Sequence, residues 1–194
     1  MHFLLNLSLI SPSLALVEND KIITFEAWEG WKESSQVIWD WVAAHKSQLE
    51  NLKSIRTITG PGGFSSLRVC GLICETLADK YQCELRTVRA DRVGQQLLED
   101  LGLKEPLLLN AFGDNVFEVA SDEKALNLIP LEQAQDTFQE NVFIDFLPPA
   151  KQVGFLSVST QKINPKLILE ALFEASQDAP PVTSFVPYYG HPGV

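Results

Sequence analysis

The sequence predicts an α/β protein with mixed sheets flanked by helices, arranged as two lobes, and three observations predict it. The chain opens with three strand-like runs, Phe3 to Ser8, Ser13 to Glu18 and Lys21 to Ala27, separated by Ser-Pro-Ser and Glu-Asn-Asp turn signals. A short β-branched run from Ile55 to Thr59 leads straight into Gly60-Pro61-Gly62-Gly63 and then a long helical pattern from Phe64 to Tyr81. Strand and helix alternate again through Glu84 to Val88 and Asp91 to Leu101, the order that builds a sheet covered by helices.

The opening runs are too closely spaced for parallel crossovers and so form an antiparallel meander. From Glu33 to Leu49 the apolar period becomes helical. Val37, Ile38, Trp41, Ala44, His45, Gln48 and Leu49 fall on one side, with Trp39 and Ala43 on another. After Gly102 to Pro106 the pattern restarts as a hairpin, Leu107 to Ala111 and Val116 to Ala120 around Gly113-Asp114-Asn115. A strand from Asn141 to Leu147 and helices over Lys151 to Ser157 and Leu167 to Ser176 follow. The expected organisation is a first lobe over residues 1–104, a smaller second lobe over 105–179, and a tail over 180–194. Phe185, Tyr188 and Tyr189 carry enough apolar area to pack that tail back on the body.

With 45% hydrophobic and 21% charged residues the chain sits among ordinary globular domains, away from disordered compositions. Its 25 acidic and 15 basic residues give a net charge of -10, which opposes independent binding of a phosphate backbone at long range. The closest basic grouping, Lys80, Arg86, Arg89 and Arg92, is interrupted by Glu84 and Asp91. Three cysteines, Cys70, Cys74 and Cys83, are an odd set that suits a reducing, cytoplasmic compartment and no disulfide framework. The apolar run from Phe3 to Ile10 lacks a Lys or Arg start and is broken by Pro12, so it reads as strand and not as a leader peptide. No stretch is apolar for long enough to span a bilayer.

The most specific segment is Thr59-Gly60-Pro61-Gly62-Gly63-Phe64-Ser65-Ser66-Leu67-Arg68-Val69. A strand, a glycine-rich loop and a helix can hold an anion on backbone N–H groups, or can simply allow a tight turn and close packing. No Lys-Ser or Lys-Thr closes the loop as a P-loop requires, and the dinucleotide spacing of glycines is missing. The loop reads as architectural.

This segment resembles the TsaB (YeaZ) family signature, Gly-Pro-Gly-Ser-Phe-Thr-Gly-Leu-Arg-Ile-Gly, with Gly60, Pro61, Gly62, Phe64, Leu67 and Arg68 matching. Asn6-Leu7-Ser8 with Ser13-Leu14-Ala15-Leu16 is similar to the family's first hairpin. Leu109-Asn110-Ala111 with Val116-Phe117 is similar to its second hairpin, and Pro187-Tyr188-Tyr189 to its C-terminal motif. The resemblance implies a reduced actin-like ATPase and sugar-kinase (RNase H-like) fold. It also implies a non-catalytic subunit of the complex that makes N6-threonylcarbamoyladenosine next to the anticodon of tRNA. Such a subunit pairs with a TsaD-type catalytic protein, with a TsaE-type ATPase in the complex, and can also form a homodimer. It meets tRNA only through the complex, has no membrane role, and binds no cofactor alone, ATP or ADP being placed at the partner interface. The sequence departs from the pattern at Asn6, where the family has Asp, and at Gly63, Ser66, Cys70, Phe112 and Gly190.

The alternative is a small nucleotide-binding enzyme of the same fold using the Gly60–Gly63 loop. An ATPase of this class needs an acidic residue at the first hairpin for magnesium, and Asn6 is neutral. His2, His45 and His191 are the only histidines and none sits in a nucleophile motif. Asp114, Glu118 and Asp122 read as a turn and a solvated strand face. No metal site is expected, since Cys70 and Cys74 have no further ligand nearby.

In the 64–81 helix, Val69, Leu72, Ile73, Thr76 and Leu77 are expected to face the sheet. Leu67, Gly71, Cys74 and Ala78 then form a second apolar strip of small residues, covered either by the 33–49 helix or by another chain. The family resemblance implies the other chain, with Trp39 on the same partner surface.

Overall fold

The computed structural model describes the chain apart from residues 10, 31, 112, 121–126, 139–141, 143–146, 148, 154, 156–162 and 190–194. Its larger sheet has six strands. His2–Asn6 (β1), Ser13–Glu18 (β2) and Lys21–Ala27 (β3) form the antiparallel meander, and β1 pairs in parallel with Ser54–Ile58 (β4). Glu84–Val88 (β5) lies parallel to β4, and Pro181–Val182 (β9) closes the far edge antiparallel to it, giving the order β3-β2-β1-β4-β5-β9. The turn between β2 and β3 takes Asn19 and Asp20 at positive φ, a conformation their short polar side chains tolerate.

Strand alternation sends two apolar sets to opposite faces. Phe3, Leu5, Leu14, Leu16 and Ile55 pack against Ile38, Trp41 and Val42 of Ser34–Ala44 (α1), and against Cys70, Ile73, Cys74 and Leu77 of Phe64–Tyr81 (α3). Lys46–Leu49 (α2) continues α1 after a break at His45. On the other face Leu4, Ala15, Val17 and Ile58 meet Val93, Leu97 and Leu98 of Ala90–Leu101 (α4) and Ile168, Leu169 and Leu172 of Pro165–Ala175 (α7).

The structure departs from the sequence reading at two places. The helix α3 is rotated from its expected setting: Leu72 is 68% exposed, whereas Leu67, Cys70 and Cys74 are completely buried. Small side chains turn inward because they let the helix lie close to β4, where Thr57 Oγ1 and Cys70 Sγ are 3.0 Å apart. The other correction concerns the 105–179 lobe. Leu107–Asn110 (β6), Asn115–Val119 (β7) and Asn127–Pro130 (β8) do form a separate sheet of order β6-β7-β8, with Leu131–Thr137 (α5) behind it. Helix α7 leaves that lobe, however, and lies on α4 and on β1, β2 and β4. Without it the Leu4, Ala15, Val17 face would stand in water.

The smaller sheet uses both faces. Leu107, Leu109, Phe117 and Val119 join the α4–α7 core, and Leu108 and Val116 meet Ala134, Val142 and Leu147. Neither β8 nor α5 was expected. The strand expected over Asn141 to Leu147 lies mostly outside the described residues, as does the helix beyond Pro149–Gln152 (α6). Among the described residues no helix is long and apolar enough to cross a membrane.

Candidate functional site

Loop 59–63 is gripped by three other segments of the chain. Thr59 N donates to Val88 O at 2.9 Å, Ala90 N donates to Gly60 O at 2.7 Å, and Tyr188 N donates to Thr59 O at 2.7 Å. Ser8 Oγ reaches over from the first hairpin to Ile58 O at 3.0 Å, and the Cα of Gly62 faces Ser8 so closely that a Cβ would come 3.1 Å from its backbone. Gly60 has φ +119, its peptide to Pro61 is cis, and a Cβ there would fall on the carbonyl oxygen of Tyr188. Glycine is therefore required at 60 by conformation and by space together. Gly60 and Pro61 are buried, and Ser66 Oγ donates to Gly63 O at 2.8 Å to close the first turn of α3. Of the two readings open for this loop, close packing is the one its geometry matches.

Asn6 is fully buried at the end of β1. Its Oδ1 accepts from Leu9 N at 3.0 Å and Ser8 N at 3.2 Å, and its Nδ2 donates to Ser11 O at 2.9 Å and Ser13 Oγ at 3.4 Å. Both ends of the amide are spent on shaping the β1–β2 turn, so nothing is left to hold a phosphate or its metal. An aspartate would present an oxygen to Ser11 O where the amide now donates. Asn6→Asp is accordingly expected to lower stability by about 1–3 kcal/mol in urea unfolding and to confer no ATP hydrolysis. A gain of ATPase activity would contradict this account of the hairpin.

The C-terminal tail runs the length of α3. After β9, Phe185 N donates to Glu75 Oε1 at 2.7 Å and its ring lies on Gly71, where a Cβ would come 2.5 Å from Phe185 Cδ1. This settles the strip of small residues. Leu67 and Cys74 are buried in the chain's own core, Gly71 is covered by Phe185, and Ala78 is half-buried beside the same cluster. The expectation that Leu67, Gly71 and Cys74 form a partner surface is corrected: the strip's occupant is the tail. Trp39 stays 38% exposed on α1, and Leu72 is the large apolar side chain that α3 presents outward midway along its length. The Cys74 thiol, hydrogen-bonded to Cys70 and cut off from water, is held well above its ordinary range and stays protonated. Among the described residues no group of three or more His, Cys, Asp or Glu is placed to hold a metal ion. Asp122 and Gly190 lie outside the described residues.

Beyond Phe185 the tail brings Tyr188 and Tyr189 to the outer end of the loop. The Tyr189 and Phe64 ring centroids are 5.2 Å apart, the Arg68 guanidinium lies 5.2 Å from the Phe64 centroid, and Arg89 lies 4.6 Å from that of Tyr188. Phe64 and Arg68, which match the family signature, are thus the exposed members of that motif, and Gly60, Pro61 and Leu67 its buried ones.

No family model matches the chain, and no curated protein matches it. Among solved structures, YeaZ from Pseudomonas aeruginosa superposes with a TM-score of 0.60 over 90% of this chain and 89% of that one, at 15% identity. The chain has the fold of YeaZ. An uncharacterized Pseudomonas aeruginosa protein with similarity to peptidase YEAZ superposes with a TM-score of 0.54 over 68% and 67% of the two chains, at 17% identity. The α/β fold class expected from the sequence, with mixed sheets flanked by helices, is the one observed.

A second cluster escaped the sequence reading. Arg56, on β4, is 3% exposed and has no carboxylate partner among the described residues. It donates to Phe173 O at 2.9 Å and Ser176 Oγ at 3.2 Å, with its guanidinium 4.3 Å from the Phe173 centroid. A cation at the C-terminal end of α7 is favourable, since the last carbonyls lack helical partners. Beside it His2 Nδ1 is 2.8 Å from Ser54 Oγ, and burial, then the Arg56 charge, lowers the His2 pKa to about 4. Ser54 is 2% exposed, so its hydroxyl serves the packing of the cluster and is closed to a substrate.

Because the folded pKa of His2 lies below the unfolded value of 6.5, the unfolded chain binds the proton more readily, and His2 costs stability as pH falls from about 6.5 to about 4. His2→Gln should flatten the pH dependence of urea unfolding in that window. Parallel pH profiles for the two proteins would contradict this placement.

Proposed function

We propose that the chain is a non-catalytic partner subunit of the complex that makes N6-threonylcarbamoyladenosine next to the anticodon of tRNA. It binds and supports a TsaD-type catalytic subunit, with a TsaE-type ATPase in the same assembly. The observation that carries this reading is the YeaZ fold over nine tenths of the chain, joined to the Gly60-Pro61-Gly62, Phe64, Leu67, Arg68 motif. Fold alone does not assign function, and the motif is what narrows it.

The geometry of the chain weighs against the nucleotide-enzyme alternative. Ser8 and Tyr188 fill the inner side of the Gly60–Gly63 loop, and Asn6 spends both ends of its amide on its own turn. We assign any ATP or ADP of the complex to the interface with the partner. The surface proposed for that partner is the outer side of the helix layer formed by α1 and α3, with Trp39 and Leu72 as its apolar anchors and Ala78 at its edge. Large apolar side chains standing out from a helix layer are the residues that carry binding energy when covered. A second copy of the chain is the competing occupant. Co-expression with the TsaD-type protein of the same genome tests the reading: the two proteins should co-purify in equal amounts, and failure to associate would overturn it.

A further inference from the structure

We propose that the rim formed by Phe64, Arg68, Arg89, Tyr188 and Tyr189 is a binding site for single-stranded RNA. An unstacked base would lie against the ring and guanidinium faces, with the flanking phosphates paired to the arginines. The tail creates this site by carrying two tyrosines to a loop more than a hundred residues away in sequence. Tyr189, Phe64 and Arg68 then follow one another at 5.2 Å spacings, and Arg89 lies over Tyr188 at 4.6 Å.

Three properties point to RNA. Phe64 is 59% exposed, an unusual state for a large apolar ring, and its neighbours are planar groups of the kind on which bases stack. Arg68 is exposed, and among the described residues its one interaction is with that ring, so its N–H groups are free for phosphate. Arg89 spends one N–H on the buried Asp91 at 3.0 Å, which fixes the guanidinium over Tyr188 and leaves its outer edge in water. Two separate ring–arginine pairs suit a strand that spreads several weak interactions over neighbouring nucleotides better than a single free nucleotide. The net charge of -10 works against binding at long range, so the affinity is modest and falls with salt. The proposal rests on the partner-subunit reading only for which RNA the protein meets in the cell.

The experiment is fluorescence anisotropy of the full chain with a labelled short single-stranded RNA at low salt, alongside a blunt RNA duplex and adenosine monophosphate as competitors. Single strands should bind better than the duplex, and the free nucleotide should not compete. Phe64→Ala and Arg68→Glu should each weaken binding roughly tenfold or more, Arg68→Lys should weaken it less, and Lys21→Glu, far away on β3, should have little effect. Removing one arginine–phosphate pair should reduce the salt dependence by about 0.7 in log–log slope. Circular dichroism checks that the variants fold, and retention of a TsaD-type partner checks the other reading independently. Absence of binding at low salt overturns the proposal, as does equal weakening by Arg68→Glu and Lys21→Glu. If Arg68→Glu abolished binding of a protein partner while RNA binding stayed unchanged, the rim would belong to a protein instead, which also overturns it.

Discussion

Gly60→Ala is expected to lower stability by about 3 kcal/mol. Holding a non-glycine residue in a sparsely populated backbone region costs about 1–3 kcal/mol by itself, and Gly60 sits at φ +119. The added Cβ also falls on the Tyr188 carbonyl oxygen, a backbone atom that can retreat only by giving up the hydrogen bond from Tyr188 N to Thr59 O. Gly102 is the internal control, with φ +64 and open space around its Cα. Gly102→Ala carries the conformational cost alone, about 1 kcal/mol. In a domain of this size each kcal/mol moves Tm by about 2–4 °C, so thermal melts resolve the two variants. If Gly60→Ala fell no further than Gly102→Ala, the tail would not lie on the loop.

Bulk at Gly71 is expected to detach the tail. Any side chain there meets Phe185, whose Cδ1 would lie 2.5 Å from the new Cβ, so Gly71→Trp should cost about 3 kcal/mol by overpacking and leave the residues after β9 open to protease. The smaller change carries a sharper test, because its sign depends on Phe185. In the wild type Gly71→Ala should destabilise through the clash. In a Phe185→Ala background the same change should stabilise by up to about 1 kcal/mol, the ordinary gain of alanine over glycine within a helix. Additive effects in the cycle would contradict the packing of Phe185 on Gly71. A Gly71→Trp variant that melted normally would return the strip to the outer surface.

The two sets of residues at which the sequence reading held and failed have different physics. Strands Ser13–Glu18, Lys21–Ala27 and Glu84–Val88 and helix Phe64–Tyr81 begin and end where read, because their punctuation is local. Asn19 and Asp20 turn the chain at positive φ, Gly63 precedes the helix in extended backbone, and Gln82 ends it left-handed. The rotation of α3 was not local. Its sequence is apolar over much of its circumference, so hydropathy could not choose between Leu72 and the smaller Cys70 and Cys74 for the sheet face. That choice was made by the closeness of β4 and by Phe185, a residue on the tail. The setting of α7 was hidden for the same reason. Its helical run was legible, but which of two sheets lacked a cover could be known only once both were built. The candidate site divides likewise. Gly60, Pro61, Gly62, Phe64 and Arg68 were legible as a motif, while their separation into a packed turn and an exposed rim depends on Tyr188 and Tyr189 arriving from the other end of the chain. Arg56 is the case with least warning, since nothing local in the Ile55 to Thr59 run marks it as a cap for a helix over a hundred residues away.

The central proposal, that this chain is a partner subunit of a TsaD-type protein, is tested most directly by size-exclusion co-elution with the TsaD-type protein of the same genome, using wild type and Leu72→Glu side by side. Leu72 is 68% exposed, so the charge should leave the melt unchanged. A buried, unpaired carboxylate at an interface core typically costs several kcal/mol, and each 1.4 kcal/mol weakens association about tenfold. The account predicts a stable one-to-one complex for the wild type and separate peaks for Leu72→Glu. Two separate peaks for the wild type, or a complex that Leu72→Glu and Trp39→Ala both leave intact, would contradict it.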